Sequence, residues 1–328
     1  MMVSNLIKMK LKKIFPGLME NRYLYQIYIL IFHHTEREHY VHNRAAKTDL
    51  KFYVIRPRGN GIEGLMSLFL YILQRIDYAD RCGMIPVVDM KNYNSQYYDG
   101  EHNVWEWYFT QPSQYNLEDV RNNKTNLVCG YSLRRKMNKD IGSIQSIFDQ
   151  RLIMSVNKLI LRHIDYSDEV KCILDKEIKT VKPKECIGVY LRGTDYIALQ
   201  PKGEPRQPTV EMVKKQIDAF VEKYGCNRIF LVTEDAGIFK QFCEKDRYEI
   251  VLYSADSFIA SYDGKDYLAF SGAIKKGKKE AGLDYLVKIA LLSKCKYLVT
   301  SITRGSISAV YLNGGNYKDI FIFDLGIY

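Results

Sequence analysis

No two cysteines in this chain stand in C-x-x-C spacing, and their total, seven, is odd. That disfavours a disulfide framework and a structural zinc site. Cys129 (in NLVCG) and Cys186 (in ECIGVYL) lie in apolar, strand-like surroundings where cysteine acts as a small hydrophobe, and a reducing compartment suits such usage. Proline and glycine are sparse, 8 and 21 of 328 residues, which excludes collagen-like and low-complexity chains. The N-terminal stretch has no continuous apolar h-region with a small-residue cleavage site, so it does not read as a signal peptide. Its longest apolar run, residues 24–32 (LYQIYILIF), has nine residues and includes Gln26. A membrane span needs about 20. These absences lead us to expect a cytoplasmic protein.

Acidic residues are also in deficit: 48 Lys/Arg face 38 Asp/Glu, for a net charge of +10. Such a surplus suits a polyanion, an anionic membrane or a phosphate-bearing substrate. It is unevenly spread. Residues 1–58 carry 11 Lys/Arg and 4 Asp/Glu, and the remaining 270 residues carry 37 and 34. Lys8, Lys10, Lys12 and Lys13 stand among Ile7, Leu11, Ile14 and Phe15. We therefore expect residues 1–50 to form a basic, helical N-terminal arm, either lying on the anionic inner membrane as a peripheral contact or packed on the first domain. The nearly neutral body, with no RNA-recognition or helix-turn-helix signature, argues against nucleic acid as a partner. His33, His34, His39 and His42 cluster, but no carboxylate or cysteine completes a familiar metal site.

The length suggests about two domains. Residues 51–58 (KFYVIRPR) read as a strand, residues 59–64 (GNGIEG) as a glycine-rich turn, and the following residues as a helix with Leu65, Leu68, Phe69, Ile72, Ile76 and Ala79 on one face. Gly83 ends it and residues 84–90 form the next strand. Residues 126–130 read as a strand and 143–180 as mostly helical. After Pro183 the pattern repeats. Strands are expected at 186–192, 228–233, 249–253, 297–301 and 320–324, and helices at 209–224, 235–245, 282–294 and from about 306. Alternating strands and helices imply mainly parallel sheets that bind ligands beyond their C-terminal strand ends. The expected fold is α/β: two Rossmann-like domains, at 51–181 and 182–328, both doubly wound and facing a cleft.

The most distinctive segment is residues 188–196 (GVYLRGTDY), a buried strand that ends in Arg192, Gly193, Thr194 and Asp195. Arg192 can place a bidentate fork on a phosphate, Gly193 permits close backbone approach, and Asp195 can orient the guanidinium. A structural Arg–Asp pair closing the loop reads equally well. Glu63 in the glycine-rich turn is either a carboxylate able to take a proton, a phosphate or acceptor contact, or a helix cap. Trp105, Trp107, Tyr108 and Phe109 suit either an acceptor sugar or a core. The basic loop with Lys275, Lys276, Lys278 and Lys279 suits either an anionic ligand or solvent.

Residues 188–196 resemble the HxRRTDK and HxRRGDY strands of the fucosyltransferase superfamily, meaning the α1,6-, α1,2- and protein O-fucosyltransferases. Three further segments agree in order. Residues 231–235 (LVTED) resemble its strand-to-helix TDD segment. Gly282-Leu283-Asp284, then Cys295, residues 297–301 and residues 306–311, resemble its third block. Residues 59–64 resemble its GxxxEG or GNQ turn.

The resemblance implies a GT-B fold, with 51–181 as the acceptor-side domain and 182–328 as the nucleotide-sugar donor-binding domain, and metal-independent sugar transfer from GDP-fucose. Arg192 would hold the β-phosphate of the leaving GDP, and Glu63 would be the general base. Asp284, at a helix start, would accept from guanine. Ser306 or Ser308, at the next helix start, would contact phosphate. Asn60, Gly61, Tyr190, Gly193, Asp195, Thr233 and Asp235 would surround the nucleotide sugar, with Glu234 helping to shape the pocket. Three departures stand out: Tyr190 where histidine is usual, Gly193 in place of a second arginine, and Tyr196 and Gln200 in place of a Lys and Glu.

The sequence thus predicts an inverting glycosyltransferase, with no cofactor or metal, acting on a glycan or glycolipid. High Lys, Tyr and Ile content suggests bacterial surface polysaccharide synthesis. Alternatives are a transferase using another nucleotide sugar, and a non-catalytic nucleotide- or nucleic-acid-binding protein.

Overall fold

The computed structural model describes residues 37–58, 63–131, 136–244, 247–265, 267–268 and 273–328. In chain order the strands and α-helices are β1 (His39–His42), β2 (Phe52–Ile55), α1 (Leu65–Arg81), β3 (Ile85–Val88), α2 (Leu117–Arg121), β4 (Thr125–Val128), α3 (Gln150–His163) and α4 (Asp168–Val181). They continue with β5 (Ile187–Tyr190), α5 (Thr194–Leu199), α6 (Val210–Tyr224), β6 (Arg228–Val232), α7 (Ala236–Cys243), β7 (Glu249–Val251), α8 (Lys278–Leu292), β8 (Tyr297–Ser301), α9 (Arg304–Asn313) and β9 (Asp319–Phe323).

Two sheets result. The first has the order β1-β4-β2-β3 and the second β7-β6-β5-β8-β9. Every pair is parallel except β1 with β4. The central strands β2 and β5 are buried at all four positions, as an apolar run covered on both faces should be. In the second sheet the order reverses between β5 and β8. Such a switch point is where open α/β sheets place a ligand crevice, beyond the C-terminal ends of the two strands.

The described part of the expected arm differs from a helix. Residues 39–42 are an edge strand, tied to β4 with His39 opposite Val128 and His42 opposite Thr125. That stretch therefore belongs to the first sheet, and residues 1–36, with the lysine cluster, His33 and His34, lie outside the described residues.

Helix α1 also departs from a one-sided amphipathic helix. Met66, Leu70, Tyr71, Leu73, Gln74 and Arg75 are buried along with the expected apolar face. The cause is its position, since α8 and α9 pack on it from the side away from its own sheet. One large core consequently joins α1, α3 and α4 to α8 and α9, and a smaller one fills the opposite face of the second sheet beneath α6 and α7. Trp105, Tyr108 and Phe109 are core residues, with the Trp105 and Phe109 rings stacked at 4.5 Å. Tyr166 stacks on Phe109 in turn, at 5.8 Å.

Gly188 lies in mid-β5, where α8 presses on the strand. A Cβ there would stand 2.7 Å from Leu292 Cδ1 and 3.0 Å from Cys295 Sγ. Gly188→Ala should therefore lower unfolding stability by about 1–3 kcal/mol through overpacking. An unchanged urea midpoint would refute this contact.

Candidate active site

Register brings the first group of site residues together. Tyr190 on β5 pairs with Val232 on β6. Arg192 and Glu234, each two residues further on, leave their strands side by side. Arg192 Nη2 donates to Asp195 Oδ1 at 2.7 Å, and its Nε lies 3.2 Å from Glu234 Oε1. The guanidinium also stacks over the Tyr196 ring, 4.8 Å from its centroid. Burial works against the charge on Arg192, but Glu234 and Asp195 outweigh it and push its pKa well above the usual arginine value.

Glu234 reaches further than sequence reasoning assigned to it. Its Oε1 also accepts from Gly193 N (3.0 Å) and Thr194 Oγ1 (2.9 Å). Asp235 caps α7 through Gly237 N (2.7 Å) and Ile238 N (3.0 Å), and its second oxygen accepts from Thr194 N at 3.2 Å. These bonds hold Thr194 at φ +40°, a left-handed conformation that costs a β-branched residue about 1–3 kcal/mol. Gly193 is dictated by the same carboxylate. A Cβ there would sit 2.5–2.8 Å from Asp235 Oδ2, Cβ and Cγ. Thr233 is buried beneath the turn, its hydroxyl accepting from Asp235 N at 3.2 Å.

Beyond β8 the chain enters α9 at the other side of the crevice. Thr303 caps α9 with Ser306, the Ser306 hydroxyl accepting from Thr303 N at 2.7 Å. Ser308 donates to Arg304 O at 2.7 Å. Both hydroxyls expected on phosphate are buried and spent within their own helix, which starts two residues before Ser306. Tyr190, in the histidine position, points under this turn and shares a hydrogen bond with the Tyr285 hydroxyl at 3.0 Å. Gly305 fits above them, because a Cβ would lie 2.5 Å from Tyr285 Oη and 2.7 Å from Tyr190 Cε1.

Asp284 is not a first-turn acid. Helix α8 begins at Lys278, four residues before the expected start, so Asp284 lies in its second turn. There it pairs with Lys276, which also donates to Ala255 O at 2.7 Å, and it faces the Tyr253 hydroxyl. Lys279 pairs with Glu169 at 2.7 Å, so two lysines of the basic loop are committed to ion pairs.

The second group of site residues lies where β2 runs toward α1. Asn60 and Gly61 fall outside the described residues. Glu63 does not cap α1: Gly64 holds the cap position and no side chain caps the helix. Instead the Glu63 carboxylate is buried, pairs with Arg58 through Oε1, and leaves Oε2 without a partner among the described residues. Its backbone carbonyl accepts from Gln96 Nε2 at 2.8 Å. Burial pushes its pKa above the ordinary value, and the opposing charges of Arg58, Arg75 and Arg304 do not cancel the rise. Arg75 is itself fully buried on α1, donating to Tyr131 O (3.1 Å) and Gln74 Oε1 (3.1 Å), with its guanidinium 3.3 Å from the Tyr71 ring centroid.

Among the described residues no cluster of three His, Cys, Asp or Glu side chains could hold a metal ion. No described helix is long and apolar enough to cross a membrane.

Two parallel-stranded sheets with charged side chains gathered at their C-terminal ends define a GT-B-like α/β fold. Among solved structures, the chain is similar to the NodZ α-1,6-fucosyltransferase soaked with GDP-fucose, with a TM-score of 0.51 and 14% identity over 84% of this chain and 96% of that one. It is also similar to POFUT1 in complex with GDP, with a TM-score of 0.50 and 9% identity over 84% of this chain and 99% of that one. The fold is therefore fucosyltransferase-like. Compared by sequence, the chain matches no protein-family model and no curated protein.

The raised pKa of Glu63 has a consequence for stability. The fold favours its neutral form, so this contribution is complete below the ordinary value of 4.5 and is lost as pH rises through the higher folded value. Glu63→Gln stays neutral throughout. Its urea midpoint relative to wild type should climb between acid and neutral pH; a difference independent of pH would contradict the burial of this carboxylate.

Proposed function

We propose that the protein is an inverting glycosyltransferase that moves fucose from GDP-fucose to a glycan hydroxyl. The observation that carries this reading is the guanidinium of Arg192 at the β5–β8 crevice. It is held between the carboxylates of Asp195 and Glu234, at 2.7 and 3.2 Å. A donor held in place this way can meet charge that develops on a leaving phosphate without reorganising. The fold shared with NodZ and POFUT1, whose structures contain GDP-fucose and GDP, supports the choice of donor.

In the proposed reaction the acceptor oxygen attacks the anomeric carbon of fucose. The bond from that carbon to the β-phosphate oxygen breaks, and its electron pair leaves with GDP beside Arg192. The acceptor's proton passes to Glu63. Burial makes that carboxylate more basic than an exposed one, which suits the transfer. Residues 182–328 form the donor side of this arrangement and residues 51–181 the acceptor side. Asp284 would recognise guanine once it exchanges Lys276 for the base. The backbone N–H groups at the start of α9, rather than the Ser306 and Ser308 hydroxyls, suit a phosphate contact. Synthesis of a bacterial surface polysaccharide, with residues 1–36 against an anionic membrane surface, completes the proposal; the charge of the first 58 residues supports it.

Donor hydrolysis and glycan transfer across a panel of nucleotide sugars test the reading. GDP-fucose should be consumed in preference to UDP- and ADP-sugars. Arg192→Ala should reduce transfer by about 10²–10³-fold, the loss seen when one transition-state donor is removed. Glu63→Gln should reduce it by about 10²–10⁴-fold. Turnover of another donor with GDP-fucose inert would overturn the donor assignment, and near-normal transfer by Glu63→Gln would overturn the base.

A further inference from the structure

The first sheet has a switch point of its own. From β2 the chain passes through α1 to β3 on one side, and only later returns as β4 on the other. Open α/β sheets bind ligands beyond the C-terminal strand ends at such a reversal. Arg56 is the first residue after β2 there, and it is 6% exposed. Its Nε donates to Cys129 O, beyond β4, at 2.9 Å. Its guanidinium carbon lies 5.3 Å from the centre of the Tyr93 ring, beyond β3. Contacts continue from Cys129 to Glu63. The Tyr71 hydroxyl meets Cys129 Sγ at 3.8 Å, the Arg58 guanidinium lies 4.6 Å from the centre of the Tyr71 ring, and Arg58 pairs with Glu63.

Arg56 differs from Arg192 and Arg58 in what balances its charge. Arg192 is held by two carboxylates and Arg58 by one. Among the described residues Arg56 makes no ion pair, and its one side-chain hydrogen bond goes to the Cys129 carbonyl. Asp89 stands level with it, because Ile55 pairs with Val88 and each residue is the next in its chain. Both oxygens of Asp89 are taken up by its own turn, however. Oδ1 accepts from Lys91 N (3.1 Å) and Asn92 N (2.9 Å), and Oδ2 accepts from Asn92 Nδ2 (2.8 Å). Residues 59–62 and 132–135, outside the described residues, include no acid. A guanidinium has five N–H donors, and the carbonyl engages only one side of it. Buried charges are ordinarily paired, so the end of β2 calls for an anion that the described chain does not supply.

We propose that Arg56 binds an oxyanion on the acceptor, which makes the acceptor an acidic glycan bearing a carboxylate or a phosphate. The inference rests on the reading of residues 51–181 as the acceptor side. The planar fork of arginine suits either group, since both present two oxygens to two parallel N–H groups. Arg56 sets which glycan is accepted and touches no reacting atom.

The test is calorimetric titration of the full chain, with GDP present, using disaccharides that differ only at C6 of the terminal glucose. That carbon is a hydroxymethyl group, a carboxylate (glucuronate) or a phosphate ester (6-phosphate). At least one anionic form should bind about 10–100-fold more tightly than the neutral one, as a hydrogen bond to a charged group allows. Which form does so identifies the source of the oxyanion. Arg56→Gln should abolish the preference, and Arg56→Lys, which keeps the charge but loses the fork, should reduce it. If Arg56→Gln lacks the wild-type circular-dichroism spectrum, Arg56→Lys decides. Equal binding of all forms, no detectable binding of either anion, or a preference unchanged in the variants overturns the assignment. Titration with GDP alone separates the two failures. If GDP does not bind, the reading of GDP-fucose as donor falls. If GDP binds and the disaccharides show no charge preference, only the role of Arg56 falls.

Discussion

Two carboxylates holding one half-buried guanidinium form the constraint on which the C-terminal edge of the second sheet depends. Asp195 takes Arg192 from within the same loop, and Glu234 takes it from the end of the neighbouring strand. Removing Arg192 would leave the two carboxylates unpaired in a poorly solvated place, and stranding a buried charge typically costs about 3–5 kcal/mol. Glu234 spends its remaining capacity on Gly193 and Thr194, so the carboxylate that fixes the cation also fixes the backbone around it. The left-handed Thr194 persists because three groups, Glu234, Asp235 and the β5–β6 pairing, determine its position together. Strain held in this way marks a loop whose conformation is specified more tightly than its length requires.

The first sheet depends on a different constraint, the burial of 12 of the 17 residues of α1. Packed on its own sheet on one face and on α8 and α9 on the other, this helix makes the two sheets share a core. Its N-terminal end, where Glu63 sits, is therefore positioned by both halves of the chain. The buried Arg75 fits this role. It bonds to carbonyls of the chain leaving β4 and so ties the middle of α1 to the end of the first sheet. Glu63 stands one residue before the N-cap of α1 and Arg192 two residues past β5, so both are carried at the ends of packed elements.

Much of this was legible in the sequence because it obeys local rules. The strand at residues 297–301 is legible at its observed bounds, since the strand-prone run YLVTS begins directly after Lys296. Thr209 and Asp235 were placed at helix starts, and both are side-chain caps. Arg192 and Asp195 were singled out together and are bonded together. What could not be read depends on register or on neighbours distant in sequence. Nothing local shows that Glu234 stands level with Arg192, because that follows from Tyr190 pairing with Val232. The all-round burial of α1 comes from helices more than 200 residues later. The start of α8 was read too late because Lys278, Lys279 and Glu280 look like loop, yet they form its solvent-facing first turn and Lys279 pairs with Glu169. Residues 39–42 were read as arm because a four-residue edge strand leaves no periodic signal. Arg56 drew no notice because its partner, a backbone carbonyl, has no side chain to announce it.

The departures from the fucosyltransferase pattern connect through one steric fact. Where the α1,6 pattern places a second arginine, this chain has Gly193, and the space a Cβ would need is filled by Asp235. Asp235 cannot withdraw, because two N–H groups of α7 and the amide of Thr194 hold it. A second cation at that position is thus incompatible with the cap that starts α7. The positive charge around the crevice comes from other elements instead. Arg58 arrives from the end of β2 and pairs with Glu63, and Arg304 stands at the start of α9 after β8. Tyr190 follows the same logic. The space beneath the β8–α9 turn is closed by its hydroxyl bonded to Tyr285, and this supports the turn that launches Arg304. Glycine at 193 and tyrosine at 190 are therefore both set by neighbours beyond the end of β5, Asp235 on one side and Tyr285 with Gly305 on the other.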